Sequence, residues 1–531
     1  MDKHKIIRTT VQALLFAVPF ALGLIGFADQ YRDFGSRLYH TMALYALNFN
    51  ADEEYLQAHR YLQAARILAG AATFSVIISI LNNFRTSFAA FIRIRFFGAV
   101  VVHGEGSRAE RVLEGIRDNG SNAIRGNCRA CFRARNQVLA FDTDGEALRY
   151  LDANLGNFFP GGNGGKGKKK IVLCSDMYSN SECKKDYFSI YNPAETCARL
   201  YWQEHWLDRE RFTGQGGEDG IRKVAIIGDG RFGEHLLNQA LIMNVTDRQL
   251  ETTEEDGKYI GEYLDRIRSL EGVEYHVIGS GGRDYLAMHP MLGEFLNLDG
   301  EERGHRDSLR FHESLSDIGI RTLNSFDRII IALDDPEKCL EMMNKIVCAG
   351  AAGEIHVHCA DERILNSLYR TETKRLKIVP FGMNRKLYSR ENILHEQMEK
   401  SAKEMNFNYV KSTAEGPVPE NGAEKLMEES WNGLTYFQKM SNFASCDHGA
   451  IKEGLLRKYP FSENADTDTA NLLMEIEHTR WERFYWLHNW EYSAQRNDAG
   501  RRHPSLQPFS RLSRKDQLKD YEMYRAAAQK G

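Results

Sequence analysis

Apolar and polar positions along the chain fall into three regimes. Residues 9–28 read TTVQALLFAVPFALGLIGFA without a charge, matching the roughly 20 residues a helix needs to cross a hydrocarbon core. Residues 67–81, ILAGAATFSVIISIL, are also uncharged. A helix through them is predicted to start a few residues earlier, with Gln63 and Arg66 at an interface where arginine can snorkel. Beyond residue 98, strand-length apolar runs alternate with helix-length segments. One set lies at 99–102, 137–142 and 168–176, and a second within 222–242 and at 274–279, 327–335 and 353–361. Nearly continuous apolar runs of this kind predict parallel strands buried on both faces, hence doubly wound α/β units. After residue 381 the period becomes helical: 391–410 is amphipathic, 429–459 divides into two helices, and 475–492 is crowded with aromatic residues.

The charges flanking the uncharged runs set an orientation. Lys3, Lys5 and Arg8 precede the first, and Arg85, Arg93 and Arg95 follow the second. The positive-inside rule then places both termini in the cytoplasm, a multi-pass topology for a bacterial inner membrane with lipid as a partner. A signal peptide is the competing reading of the first run; the second run weakens it. Between the runs, RLYHTMALYALNF (37–49) precedes Asp52, Glu53 and Glu54. That order suggests a two-span pore subunit with a re-entrant segment at 37–54, whose candidate pore residues are Thr41, Leu44, Tyr45 and Asn48. The filter text TVGYG is absent, so a carbonyl-lined potassium filter is not expected. An interfacial amphipathic helix without a pore is the alternative.

Composition narrows the function classes. The 531 residues suggest three or four units, and a net charge of −4 with scattered basic residues gives no arm for stable duplex nucleic-acid binding. Nine cysteines, all after the second apolar run, fit a reduced compartment. Cys128 and Cys131 form a lone C-x-x-C, read as spare thiols rather than a metal site. No Walker lysine pattern, G-x-S-x-G or H-E-x-x-H occurs, and no enzyme is expected.

Two strand-to-helix turns carry glycines. Gly104-x-Gly106 follows the apolar run 99–102, with Asp142 at the end of a later run as a candidate ribose-facing carboxylate. Gly228-x-Gly230-x-x-Gly233 follows the strand in 222–242. Such turns admit a phosphate at a helix N-terminus, but they serve tight helix–strand packing equally well. Two spans followed by G-x-G-x-x-G units resemble ion channels with regulator-of-conductance domains, the TrkA-N family. The run IIIALDDPEKCLEMMNKIVCAGAAGEIHVHCAD looks like the second half of such a domain. Tandem copies in one subunit resemble the large-conductance potassium channels. The resemblance implies a homo-oligomer, a tetramer by default, whose cytoplasmic ring binds a nucleotide or an ion.

In the last third, His478, Trp481 and Phe484 or Tyr485 fall on one helix face. Trp481 and Trp490 read first as core. Arg480, Arg483, Arg501, Arg502 and His503 surround these rings; each arginine taken singly reads as a solvated charge, but together with the rings they could hold a base and a phosphate. Glu477-His478-x-x-Trp481, Trp490 and His503-Pro504-x-Leu506 resemble the RyR repeat domain, and Trp431, Leu434, Ser441 and Asn442 fit its bacterial form. That resemblance implies a sensor tied to nucleotide signalling and phage defence. His478, Trp481, Arg501 and His503 are the candidate ligand residues there.

The expected fold is a transmembrane helical pair, two cytoplasmic Rossmann units and a mostly α, RyR-like module, divided as 1–97, 98–220, 221–385 and 386–531. The expected function is a ligand-gated, homo-oligomeric ion channel answering to a nucleotide-type signal. The alternatives are a housekeeping potassium channel or transport regulator, and a non-conducting membrane-anchored nucleotide sensor.

Overall fold

The computed structural model describes residues 3–46, 48, 55, 58–159, 169–178, 187–213, 220–228, 230–250, 267, 269–298, 305–369, 372–394, 396–413 and 422–528. The acidic cluster at 52–54, the glycine–lysine stretch 161–168 and most of the Pro/Gly loop at 413–424 lie outside them. The chain divides into two compact units: residues 1–99 with 126–134, and residues 100–125 with 135–531.

The first unit is helical. Numbering helices of ten or more residues, α1 is Lys3–Gly26, α2 is Phe34–Tyr45 and α3 is Arg60–Phe97. Among the described residues, Arg60–Ile78 is long and apolar enough to cross a membrane, and the described apolar part of α1, Leu14–Gly26, is shorter. Small residues let these helices approach. Ala65, Ala69 and Ala72 are fully buried along one stripe of α3, and a side chain at Gly26 of α1 would press on Leu62. The opposite surfaces are apolar and open, with Ile67 at 72% and Phe74 at 61% exposure. With 38 residues, α3 is about 57 Å long. It ends where Gly98 takes the left-handed conformation, φ 56°.

Asp33 caps α2, its carboxylate accepting from Ser36 N at 2.8 Å. Within the single chain the four candidate pore positions divide. Thr41 and Leu44 are buried, because Gly23 of α1 leaves room for them: a β-carbon there would lie 2.8 Å from Thr41 Cγ2 and 3.2 Å from Leu44 Cδ1. Tyr45 bonds to the Phe16 carbonyl at 2.5 Å, and its own carbonyl accepts from Thr73 Oγ1 at 2.7 Å. Asn48 is exposed.

The second unit holds two parallel sheets. The first has order β2-β1-β3-β4-β5, with β1 Val100–His103, β2 Ala123–Arg125, β3 Asn136–Leu139, β4 Lys170–Cys174 and β5 Phe188–Tyr191. The second has order β12-β11-β10-β6-β7-β9-β8. Its central strands are β6 Lys223–Ile227, β7 Glu274–Ile278, β10 Arg328–Ile331 and β11 Gly353–His358. β8 Leu296–Asn297, β9 Asp307–His312 and β12 Leu376–Phe381 complete it. Helices α4 Ser107–Asp118, α5 Asp144–Phe158, α6 Pro193–Glu204, α7 Arg231–Met243 and α8 Pro336–Cys348 flank the sheets. These are Rossmann-like α/β domains, and each reverses strand order beside the strand that feeds its glycine turn, β1 or β6.

The remaining helices are α9 Glu396–Thr413, α10 Ala423–Asn432, α11 Tyr436–Asp447, α12 Gly449–Lys458, α13 Asp468–Leu487 and α14 Arg514–Ala528. They share one hydrophobic core with both sheets, from Val100 and Val224 to Leu473 and Tyr524. Buried ion pairs tie them down. Arg483 of α13 meets Asp307 of β9 at 2.7 Å, and Arg199 of α6 grips Asp447 of α11 through two bonds of 2.6 and 2.9 Å. Asp247 receives Tyr459 Oη at 2.5 Å together with Lys458 and Arg211. Burial would raise the Asp247 carboxyl, but Arg211 and Lys458 bring it down to about 2.

Candidate functional site

The two glycine turns are built alike. A side chain at Gly104 would strike the Ala140 carbonyl, and one at Gly106 the Asp142 carboxylate. In the second domain, Gly228 stands against the Ala332 carbonyl and Gly230 against the Asp334 carboxylate. A β-carbon at Gly233 would lie 2.5 Å from the Gly228 carbonyl oxygen, so only glycine lets α7 sit this close to the end of β6. Both carboxylates occupy the helix N-termini. Asp142 Oδ1 accepts from Arg108 N at 3.2 Å and Ser107 Oγ at 3.4 Å, and Asp334 Oδ1 accepts from Phe232 N at 3.0 Å.

A first-turn N–H that could face a phosphate is therefore taken by the protein's own anion in each copy. The cavity at the second turn, about 380 Å³, adds Glu234 and Asp284 to Asp334. These three carboxylates outnumber Arg231, which also lines the cavity, and so disfavour a phosphate. Asp142 is also not ribose-facing. In a dinucleotide fold the ribose carboxylate follows the second strand of the βαβ unit; here that strand is β2, which ends in Arg125. Asp142 follows β3, which pairs with the other side of β1.

The C-terminal helices enclose a different site. Thr467 caps α13, accepting from Ala470 N at 3.2 Å, and His478, Trp481 and Tyr485 recur along its inner face. The His478 and Trp481 rings stack with centroids 5.6 Å apart and planes at 20°, and Tyr485 lies 4.2 Å from Trp481 on the next turn. Neighbours on its own helix thus cover Trp481, and His503 meets it edge-on at 5.0 Å. These residues line a cavity of about 280 Å³, together with Asn406 and Tyr409 from α9, Asn442 from α11, and Lys519 and Asp520 from α14.

Two buried charge clusters form one wall. In one, Glu477 accepts from Arg480 Nη2 at 2.8 Å and Ser445 Oγ at 3.0 Å, and pairs with Lys452 at 3.0 Å. Burial raises the Glu477 carboxyl, but Arg480 and Lys452 lower it to about 2. His448, adjoining, is pushed by burial down to about 3; its Nε2 bonds the Val245 carbonyl at 2.9 Å, just past α7. In the other cluster, His478 lies 3.4 Å from Glu482 and 3.5 Å from Asp520. Burial alone would lower the His478 pKa, but the two carboxylates raise it well above the usual value. Glu482 and Asp520 are themselves raised by burial, partly offset by His478. Burial lowers His503 to about 4.

Of the candidate residues, His478, Trp481 and His503 come together here. Arg501 does not: it is exposed at φ 51°, its Nη1 donating to the His488 carbonyl at 3.0 Å. Arg480 and Arg483 are not solvated charges but lie 2% exposed. Lys452 and Asp520 escape a sequence reading because their partners, Glu477 and His478, lie on another helix. The Glu482 partnership, at i+4 from His478, could have been found from spacing. Among the described residues, no group of three or more His, Cys, Asp or Glu is placed to hold a metal.

No protein-family model matches the chain, and no curated protein matches it. A solved structure, the crystal structure of a point mutant of GsuK, aligns with 75% of this chain and 100% of its own, at 12% identity and a TM-score of 0.28. A likeness that slight carries no weight beside the geometry.

Proposed function

We propose that the chain is a subunit of a homo-oligomeric, ligand-gated ion channel, and that the C-terminal cavity takes its nucleotide-type ligand. The observation that carries this reading is the cavity between α9, α11, α13 and α14, where rings, amides and buried charges converge. The glycine turns offer carboxylates instead. The exposed apolar surfaces of α1 and α3 suit lipid, with both termini cytoplasmic and a tetramer as the default assembly. α3 is one unbroken helix from its apolar span to Phe97, next in sequence to the first sheet. A ligand shifts such an equilibrium only as far as it prefers one state.

The test is ion flux from lipid vesicles carrying the full-length protein, with purine and pyrimidine ribonucleotides added on the cytoplasmic side. A ligand-dependent change of flux is expected. Intact oligomers whose flux ignores every nucleotide would contradict the channel reading. They would favour a non-conducting, membrane-anchored sensor, the reading that the inward-facing Thr41 and Leu44 support. Selectivity for potassium over sodium without ligand dependence would point to a housekeeping channel. A phage-defence role rests on the RyR resemblance alone; protection lost when residues 60–78 are disrupted would support it.

A further inference from the structure

One donor on the cavity wall is idle. Arg480 Nε and Nη2 both donate to Glu477 Oε1, at 3.1 and 2.8 Å, while Nη1 has no hydrogen-bond partner. The residue is 2% exposed and lines the cavity. Buried donors are rarely left unmatched, because the lost hydration is not replaced. Glu477 also faces Lys452, 3.0 Å away. Asp520, on the same wall, is 3.5 Å from His478.

Charge balance selects what could satisfy that donor. Every cation here already has a carboxylate: Glu477 for Arg480 and Lys452, Glu482 and Asp520 for His478, Asp498 for Arg496 at 2.7 Å, and Asp516 for Lys519 at 2.7 Å. The buried wall is close to neutral, whereas the Arg496 and Lys519 side chains are 47% and 42% exposed. A phosphate pushed onto Arg480 would shed its water beside Glu477 and Asp520, in a wall where Arg480, Lys452 and His478 are already balanced by Glu477, Glu482 and Asp520. A neutral group with a carbonyl oxygen beside an N–H meets both needs. Its oxygen would accept from Arg480 Nη1 and its N–H would donate to Asp520.

Resting on the reading of this cavity as the ligand site, we infer that it takes a ribonucleotide base-first. The amide edge of a heterocycle such as guanine, hypoxanthine or uracil meets Arg480 and Asp520, and the phosphate stays at the mouth near Arg496 and Lys519. A volume of about 280 Å³ sits at the lower end of small-molecule clefts, about 300 Å³ and upward, and admits one nucleoside. Adenine offers Arg480 a ring nitrogen beside its amino group in place of a carbonyl, with one lone pair rather than two for the guanidinium. Trp481, covered by His478 and Tyr485, supplies an edge rather than a stacking platform.

The test is calorimetric binding of guanosine 5′-monophosphate, uridine 5′-monophosphate, adenosine 5′-monophosphate and guanosine to the full-length protein in detergent. The oxo-bases should bind about tenfold or more tighter than the adenine nucleotide. Guanosine should stay within about threefold of its monophosphate at about 0.3 M salt, where exposed charges are screened. Arg480→Lys keeps the charge beside Glu477 but loses the fork, and should erase the base preference. Asp520→Asn, nearly isosteric, should erase it too and covers the case in which the first variant does not fold. Equal or tighter binding of the adenine nucleotide, a preference surviving in both variants, or no binding by any probe overturns the inference. Nucleotide-driven flux with an unchanged preference in both variants would leave the channel reading standing; base-selective binding without flux would do the reverse.

Discussion

The glycine turns and the C-terminal cavity are opposite solutions to the same problem of unmatched polar groups. At the turns, Asp142 and Asp334 accept from the Arg108 and Phe232 N–H groups that a phosphate would want. In the cavity, Arg480 Nη1 is left without an acceptor despite deep burial. Glycine spacing reports where backbones come close; ligand competence depends on which donors the protein has not already satisfied.

The cavity side of this contrast breaks most severely at Glu477. Its carboxylate stands between Arg480 and Lys452, so Glu477→Leu strands two buried cations and should cost about 3–5 kcal/mol. Chemical denaturation measures it, and a loss under about 1 kcal/mol would mean that the cluster is hydrated. Trp481→Ala comes next, at about 3 kcal/mol, the low end for tryptophan truncation because the ring is only partly buried. Native stability in that variant would remove the ring stack from the structural account.

Titration separates the two charge clusters. Folding raises the pKa of His478, Glu482 and Asp520. Each group's contribution is complete below its ordinary pKa and is lost as pH rises through the folded value. Relative to His478→Gln, the wild type should therefore lose stability above about pH 6.5, by no more than about 1.4 kcal/mol per pH unit for one proton. A difference that does not change with pH contradicts the His478 pairings. Glu477 has the other sign: its contribution holds above the usual glutamate range and fails as pH falls toward about 2.

Much of this architecture is legible in the chain. The runs that form β6, β7, β10 and β11 are nearly all apolar because strands covered on both faces must be. β9, DSLRFH, and β12, LKIVPF, lie toward the edges of the sheet with mixed burial and leave no such trace. His478, Trp481 and His503 are visible through helical spacing and the His503-Pro504 turn. Arg480 reads as a solvated charge because nothing local shows that Lys452 shares its carboxylate from another helix. The position of Asp142 escapes a linear reading because strand order in space, not in sequence, decides which side of β1 it lies on.

Smaller changes sharpen the contrast from the turn side. Asp334→Ala removes a helix cap and should cost about 1 kcal/mol. It also frees the Phe232 N–H, so inorganic phosphate should gain weak, salt-sensitive protection of α7 in hydrogen exchange. No such gain would mean that Glu234 and Asp284 alone close the turn. Arg501→Gly should be nearly silent, within about 0.5 kcal/mol, since its positive φ suits glycine. A lost nucleotide affinity in that variant would return Arg501 to the site.

The most direct measurement is photo-crosslinking of the full-length protein with 8-azidoguanosine 5′-monophosphate, with adducts mapped by peptide mass spectrometry. Adducts confined to residues 406–442 and 477–523, and competed away by unmodified guanosine 5′-monophosphate, are the expected result. Competed adducts at residues 104–112 or 228–237, with none at the C-terminal helices, would contradict it.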